Sequence, residues 1–392
     1  MSGLPFGLTA DAVSAAEAEA DPDSLAAGTR LRARFGADLA AAALTQAALR
    51  RRARTKFGDA AATLWFTRDG LEQATRPEVA DLHAQRLVAA GVRRVVDLGC
   101  GVGSDAMAFV RAGLSVVAVE RDPPTADVAR ANLAAAVAAN GGPATAEVVG
   151  ADVLDVLAAG IEPETGVFAD PARRDARGRV WRAADFSPDL TTLLALADRH
   201  RALGIKLGPA LPHALVPPEA EAEWVSHRGD VVEVGLWSGP GSIPGRRSAL
   251  LWPDQRLVYE PGRLAVRAPG AFVYEPDGAV IRSGGVSALG ERLGAGLLDE
   301  QIAYLTADAL VETPYASAFR VERVLAYDLK ALRRWVREAG VGRLEIKRRG
   351  LDVDPAQLRR ELRPRGPASA TLLLSRTPTG TVALVAHRVP ST

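Results

Sequence analysis

The sequence predicts an α/β chain: a Rossmann-like open sheet of seven strands, an N-terminal helical region before it, and a smaller α/β domain after it. Three observations carry this. First, Val95-Val96-Asp97-Leu98-Gly99-Cys100-Gly101-Val102-Gly103 is an apolar strand that meets an acid and then a turn with three glycines. A helical run from Ser104 to Gly113 follows, then a second apolar strand, Ser115 to Val119, that ends on Glu120. Strand, glycine turn, helix, strand, acid is the layout of a nucleoside-binding site on an open sheet. Second, the stretch from residue 94 to 207 alternates β-rich runs with alanine-rich helical ones, the pattern of a parallel sheet with crossover helices. Third, strands and helices alternate again after about residue 307, in a segment of different charge.

Composition narrows the class. At 392 residues the chain exceeds one ordinary domain. Hydrophobic residues at 48% and charged residues at 24% are ordinary globular usage and exclude a disordered or fibrous chain. No apolar run reaches membrane-spanning length, and the first residues lack the basic and apolar regions of a signal peptide. The single cysteine, Cys100, excludes an internal disulfide and a multi-cysteine metal site, and it fits a reducing cytoplasm. Cys100 reads as a spacer in the glycine turn rather than a nucleophile. His83, His200, His213, His227 and His387 show no ligand spacing, so no metal is expected. Net charge is only +1, but Tyr315 to Thr392 holds 16 Lys and Arg against 7 Asp and Glu. That excess of nine in one region hints at a nucleic-acid face. The chain has 44 Arg and 4 Lys, so arginine is favoured everywhere, which discounts the hint.

Four regions follow in order. Residues 1–75 are helical, with alanine-rich stretches at 12–20 and 39–49. The second ends in the basic run Arg50, Arg51, Arg52, Arg54 and Lys56, which suits either a solvated helix end or a phosphate-contacting face. Leu64 to Thr75 is too aromatic for a plain linker, and Thr75 is positioned to cap a helix that Pro77 opens. Residues 76–253 form the cofactor domain, with strands at 94–98, 115–120, 146–150, 166–169 and 200–207 and helices at 104–112, 125–139 and 188–199. Segments 223–226 and 248–252 read as a late antiparallel pair completing the seven strands. Residues 254–306 read as a connecting module, and residues 307–392 as the C-terminal domain. That domain has strands at 319–325, 343–347, 370–375 and 381–387, helices at 328–339 and 355–362, and a hairpin around Pro378-Thr379-Gly380.

The glycine spacing separates cofactors. A dinucleotide fingerprint is G-x-G-x-x-G, whereas these glycines stand at 99, 101 and 103 with Asp97 inside the strand. The pattern resembles motif I of the class I S-adenosylmethionine (SAM) methyltransferases. The resemblance implies SAM as cofactor. Gly99, Gly101 and Gly103 let the backbone approach its methionine end, and Asp97 receives the ammonium. Glu120 accepts from the ribose hydroxyls, or is an ordinary strand-end charge. Asp152, with Val153 against the ring, accepts from the adenine amine, or is an ordinary helix cap. The fourth strand ends in Asp170-Pro171-Ala172-Arg173-Arg174, where motif IV stands. Amino-methylating enzymes carry Asn or Asp, two prolines and an aromatic there. Asp170 and Pro171 fit, while Ala172 and Arg173 depart from the pattern. Asp170 then positions the acceptor amine, and Arg173 or Arg174 grips substrate. Arg177, Arg179, Trp181 and Arg182 follow, basic and aromatic together, as suits either a flipped base or a lid. Lys206, at the end of the fifth strand, contacts substrate phosphate or snorkels.

Asp97 to Gly103 and Asp170 to Arg174, taken together, resemble class I methyltransferases with a THUMP-like C-terminal domain. Leu344-Glu345-Ile346-Lys347-Arg348-Arg349-Gly350 resembles that domain's basic strand-turn, and Phe66 to Thr75 fits as well. The resemblance covers residues 60–392. It implies an RNA substrate, tRNA or rRNA, because THUMP domains serve tRNA-modifying enzymes. Lys347, Arg348 and Arg349, with Arg343, Arg359, Arg360, Arg363 and Arg365, would dock it. A small-molecule methyltransferase and a non-catalytic SAM- or RNA-binding protein stand as alternatives.

Overall fold

The computed structural model describes residues 4–173 and 182–390. The N-terminal region is helical: α1 Ala10–Glu17, α2 Leu25–Phe35 and α3 Ala37–Phe57. Thr9 and Ser24 cap α1 and α2 through their hydroxyls. The basic run forms the C-terminal end of α3, within the expected helical region. Arg50 donates to the Leu64 carbonyl at 2.9 Å, lies over the Trp65 ring at 4.4 Å and pairs with Glu17. Arg51 donates to the carbonyls of Glu19 and Ala20, and Lys56 to those of Leu71 (2.8 Å) and Glu72 (3.0 Å). These three cations thus tie α3 to its neighbours, a use neither expectation for the run included. The buried pair Trp65–Phe66 has its backbone satisfied by amide side chains. Gln46 brackets Phe66 at 2.7 and 3.2 Å, and Asn132 brackets Trp65 at 2.9 and 3.0 Å.

After α4 Arg68–Gln73 and α5 Pro77–Ala89, nine strands form one sheet. They are β1 Arg94–Leu98, β2 Ser115–Val119, β3 Ala146–Val149, β4 Gly166–Ala169, β5 Ala202–Leu207, β6 Glu221–His227, β7 Asp230–Ser238, β8 Arg247–Leu251 and β9 Gln255–Val258. Their order is β9-β8-β6-β7-β5-β4-β1-β2-β3. The expected seven strands are there with two more, β9 at the edge and β7 inserted between β6 and β5. The late pair needs correction: β6 and β8 run parallel, Glu223 beside Ser248, and β7 is the strand that follows β6 in the chain. The acid and the glycine within β7 hide its strand character in the sequence. Helices α6 Ser104–Arg111, α7 Pro123–Asn140 and α8 Val153–Ala159 link the parallel strands. The expected helix at 188–199 is only α9, Leu190–Leu194.

The chain divides into two compact units, 1–221 with 235–245 and 222–234 with 246–392. The core of the first packs Leu87, Val95, Phe109, Val116, Phe168 and Trp237 together. Phe168 is its centre, with ring centroids of His83, Phe109 and Trp237 at 5.0, 5.3 and 6.2 Å. Gly204 of β5 passes so close that a Cβ would stand 2.5 Å from Trp237 and 3.0 Å from Phe168.

The second unit holds a seven-stranded sheet: β10 Phe272–Pro276, β11 Gly296–Asp299, β12 Ile302–Ala307, β13 Ala316–Ala326, β14 Val341–Arg348, β15 Ala368–Thr377 and β16 Gly380–Arg388. The order is β11-β12-β10-β13-β16-β15-β14. Residues 254–306, expected as a connecting module, therefore supply sheet strands. Along β15 the faces alternate as a strand requires. Leu372 and Leu374 meet α10 Leu329–Glu338 and α11 Pro355–Leu362 through Leu332, Trp335, Leu358 and Leu362. Leu373 faces the other way, onto Tyr304, Phe319 and Leu384. The hairpin at Pro378-Thr379-Gly380 closes as expected, Thr377 beside Gly380. Among the described residues no helix is long and apolar enough to cross a membrane.

Gly204→Ala should destabilise the first unit by about 1–3 kcal/mol, the cost of overpacking a filled core. The denaturant midpoint should fall at an unchanged slope. An unchanged midpoint would mean that the aromatic layer yields freely.

Candidate active site

The glycine turn is shaped by backbone hydrogen bonds. The N–H groups of Gly99 and Cys100 both donate to the Val119 carbonyl, at 3.0 and 2.9 Å. Gly99, Gly101 and Gly103 have φ of 86°, 56° and 84°, a left-handed run that a side chain would strain. Glu120 buttresses the turn: its Oε2 accepts from Gly101 at 3.1 Å and its Oε1 from Asp122 at 2.8 Å. Asn132 holds the turn from α7, donating to the Val102 carbonyl at 2.9 Å. Burial pushes the Cys100 thiol well above its ordinary range, so it is no thiolate nucleophile.

Asp97 lies beneath this turn, 1% exposed, and its Oδ2 has no hydrogen-bond partner among the described residues. Burial, reinforced by the charges of Asp105 and Asp170, pushes its carboxyl well above the usual range. A buried carboxylate of this kind calls for a cation. The expected SAM brings an ammonium for Asp97, and ribose hydroxyls for the lone pairs that Glu120 keeps spare. The residues present fit the cofactor.

Asp170 follows β4, one residue beyond the pairing of Leu98 with Ala169, and its carbonyl faces Gly99. Its Oδ2 is 2.5 Å from the Lys206 ammonium. Lys206 also donates to the Thr75 hydroxyl at 2.8 Å, and Thr75 donates to Asp105 Oδ2 at 2.6 Å. The other oxygen of Asp105 meets His83 Nδ1 at 2.7 Å. Burial works against charge on Asp105, but His83, Lys206 and Thr75 outweigh it and hold the carboxyl below the usual range. Thr75 is thus no helix cap: Arg76 stands at the N-cap of α5, without a side-chain bond, and Thr75 turns inward. Thr75, His83 and Asp105 are site residues that sequence reasoning misses. The one legible sign is Asp105 itself, an acid that follows the glycine turn yet reads equally well as a first-turn charge.

The other expected residues separate. Asp152 caps α8, accepting from Leu154 at 2.9 Å, with Arg121 at 3.6 Å, so its ordinary cap role is realised. Val153 opens that helix and is half-buried. Pro171 is buried, and Ala172–Arg173 pairs with Phe186–Ser187 as two short strands. The Arg173 side chain and all of Arg174, Arg177, Arg179 and Trp181 lie outside the described residues. In the second unit, Lys347 pairs with Glu275 at 2.7 Å, and Arg349 lies 3.7 Å from the same carboxylate and over the Tyr304 ring. Arg348 donates to the Leu351 carbonyl at 2.6 Å. Arg343, Arg360, Arg363 and Arg365 are exposed.

Residues 316–388, which span β13 to β16, match the THUMP domain-like family, and residues 10–53 match a domain family of unknown function. An uncharacterized S-adenosylmethionine-dependent methyltransferase of Mycobacterium tuberculosis H37Rv is 36% identical over 368 residues, covering 91% of this chain and 98% of its own. The same relative in strain CDC 1551 matches equally. A crystal structure of a candidate methyltransferase from Porphyromonas gingivalis W83 shares the fold, with a TM-score of 0.77 and 22% identity, over 97% of this chain and 98% of that one. Near full-length kinship and the THUMP domain-like match lead to one conclusion: the chain belongs to the class I S-adenosylmethionine-dependent methyltransferases, in the group with a THUMP-like C-terminal domain.

Proposed function

We propose that this enzyme methylates an amine nitrogen of an RNA base. The observation that carries the reading is the Asp170 carboxylate beside the glycine turn, held as an ion pair with Lys206. An anionic acceptor there suits an N–H donor. SAM supplies a methyl group activated on sulfur. The protein's own work is to align the acceptor and exclude water, which is worth roughly 7–11 kcal/mol. In this reading Asp97, the three glycines and Glu120 hold the cofactor, with Asp152 and Val153 at its adenine. Pro171 stiffens the turn that presents Asp170, and Arg173 and Arg174 contact substrate. RNA is supported by the THUMP-like match at 316–388, by the basic excess of that region, and by exposed Arg343, Arg348, Arg360, Arg363 and Arg365. Lys347 and Arg349 contribute less than their charge suggests, because Glu275, with Glu345 3.7 Å from Lys347, already offsets part of it. A small-molecule acceptor is the second reading, and that partial neutralisation is the observation in its favour.

Asp170→Ala should lose methyl transfer into RNA from cells lacking this gene while keeping SAM affinity, measured by label incorporation and calorimetry. Full transfer in that variant would remove Asp170 from the reaction. Asp97→Asn should weaken SAM binding yet stabilise the cofactor-free protein at neutral pH. The sign follows from the raised carboxyl: the folded state penalises the anion, so the wild type loses stability as pH climbs above the ordinary carboxylate range near ~3.9. Melting curves of the two proteins should converge at acid pH and separate above it. Replacing Arg360, Arg363 and Arg365 together by Ala should weaken RNA binding and cut the slope of log affinity against log salt by about 2, at roughly 0.7 per phosphate contact on single strands. An unchanged slope would shift weight to the small-molecule reading.

A further inference from the structure

The Asp170 carboxylate stands at the open end of a continuous polar chain that runs back into the core. Side-chain exposure falls along it: 36% for Asp170, 12% for Lys206, 9% for Asp105 and 3% for His83. The ammonium sets the direction of the links that follow it. An ammonium donates and cannot accept, so Lys206 must occupy a lone pair of the Thr75 hydroxyl. The hydroxyl proton is then committed to Asp105, whose second oxygen is taken by His83. The Thr75 backbone is pinned too, its carbonyl accepting from Ser104 Oγ at 2.6 Å. The chain ends where it began, on β4: the His83 ring lies 5.0 Å from Phe168, two residues before Asp170, and 5.9 Å from Trp237.

Such a chain is a poor way to stabilise a fold. Buried ionic groups rarely outperform apolar residues of the same volume. A lone ion pair at an open edge would also be weak, because a long lysine side chain gives up rotamer freedom to hold one geometry. What the chain supplies is a second anchor for the ammonium, on a group that cannot turn away. With the reading of Asp170 as the acceptor-holding carboxylate as its basis, we propose that Lys206 orients Asp170 for the incoming amine and that Thr75, Asp105 and His83 are positioning residues that hold Lys206 in place. Lys56 and Asp97 add their charges to the surroundings of Lys206, and Asp97 also acts on Asp105, while Arg76 acts on Lys56. None of the positioning residues touches the acceptor.

Thr75 is the place to test this, because it can be changed without altering charge. Thr75→Val keeps the shape and removes the hydroxyl, while Thr75→Ser keeps the hydroxyl. The chain has only four lysines, so a spectrum of protein labelled with ¹⁵N at lysine Nζ is sparse, and Lys206→Met assigns the Lys206 signal. The expected result is a slowly exchanging Lys206 ammonium in the wild type and in Thr75→Ser, lost in Thr75→Val. With RNA from cells lacking this gene, kcat should fall by about 10- to 100-fold in Thr75→Val, as for loss of alignment at a reacting centre, with SAM affinity unchanged. Thr75→Ser should keep the wild-type kcat. Wild-type exchange and turnover in Thr75→Val would overturn the proposal, and so would equal losses in both variants, which would mark Thr75 as packing alone. The spectrum needs no acceptor. A wild type that labels no RNA but shows the expected exchange pattern would overturn the RNA reading and leave the positioning chain supported.

Discussion

Parallel pairing of β1, β2, β3, β4 and β5 is the constraint on which the active edge depends. Because these strands run the same way, their carboxyl ends open along one edge of the sheet, and ligands of open α/β sheets bind there. Leu98 stands beside Val119 and Ala169, so the glycine turn, Glu120 and Asp170 emerge together. Ala169 stands beside Ile205, which brings Lys206 level with Asp170. A one-residue slip would turn these side chains to the opposite face. The filled aromatic layer of Phe168, Trp237 and His83 resists such a slip.

That edge concentrates negative charge that the fold balances unequally. Asp105 and Asp170 have partners, and Asp97 has an oxygen with none among the described residues. A buried anion without a partner is costly, and natural proteins keep one mainly where function uses it. In the proposed reading the layout separates two tasks by environment. One carboxylate is left wanting a cation at the glycine turn. Another is neutralised and fixed where an uncharged donor would arrive.

The C-terminal unit shows how far a charge count can mislead. The excess of nine positive charges between Tyr315 and Thr392 is read from the chain as one basic surface. In the fold, Lys347 and Arg349 turn onto Glu275, Arg359 donates to the Leu344 carbonyl at 2.8 Å, and Arg333 to that of Glu361 at 2.8 Å. Arginine has five donors and a long stem, so it knits backbone carbonyls as readily as it binds phosphate. The arginines left exposed are fewer than the total, and of the residues that the strand-turn motif singles out only Arg348 is among them.

The sequence by itself determined the parallel strands β1 to β5, the glycine turn and its acids, and the whole of 316–388, including its hairpin and both helices. These depend on residues a few positions apart: β-branched runs, left-handed glycines, helical spacing. It also determined the class of cofactor, because the spacing of three glycines is local. Only the tertiary structure decided the parallel pairing of β6 with β8, the strand β7, and the sheet strands within 254–306, whose partners lie far along the chain. It alone also decided what the site's side chains touch. Thr75 and Lys206 are 131 residues apart, and Thr75 and Asp105 are 30 apart. A threonine before a proline helix reads as a cap from its neighbours alone. Burial beside an ammonium and a carboxylate makes it a link in a chain, and no local pattern encodes that.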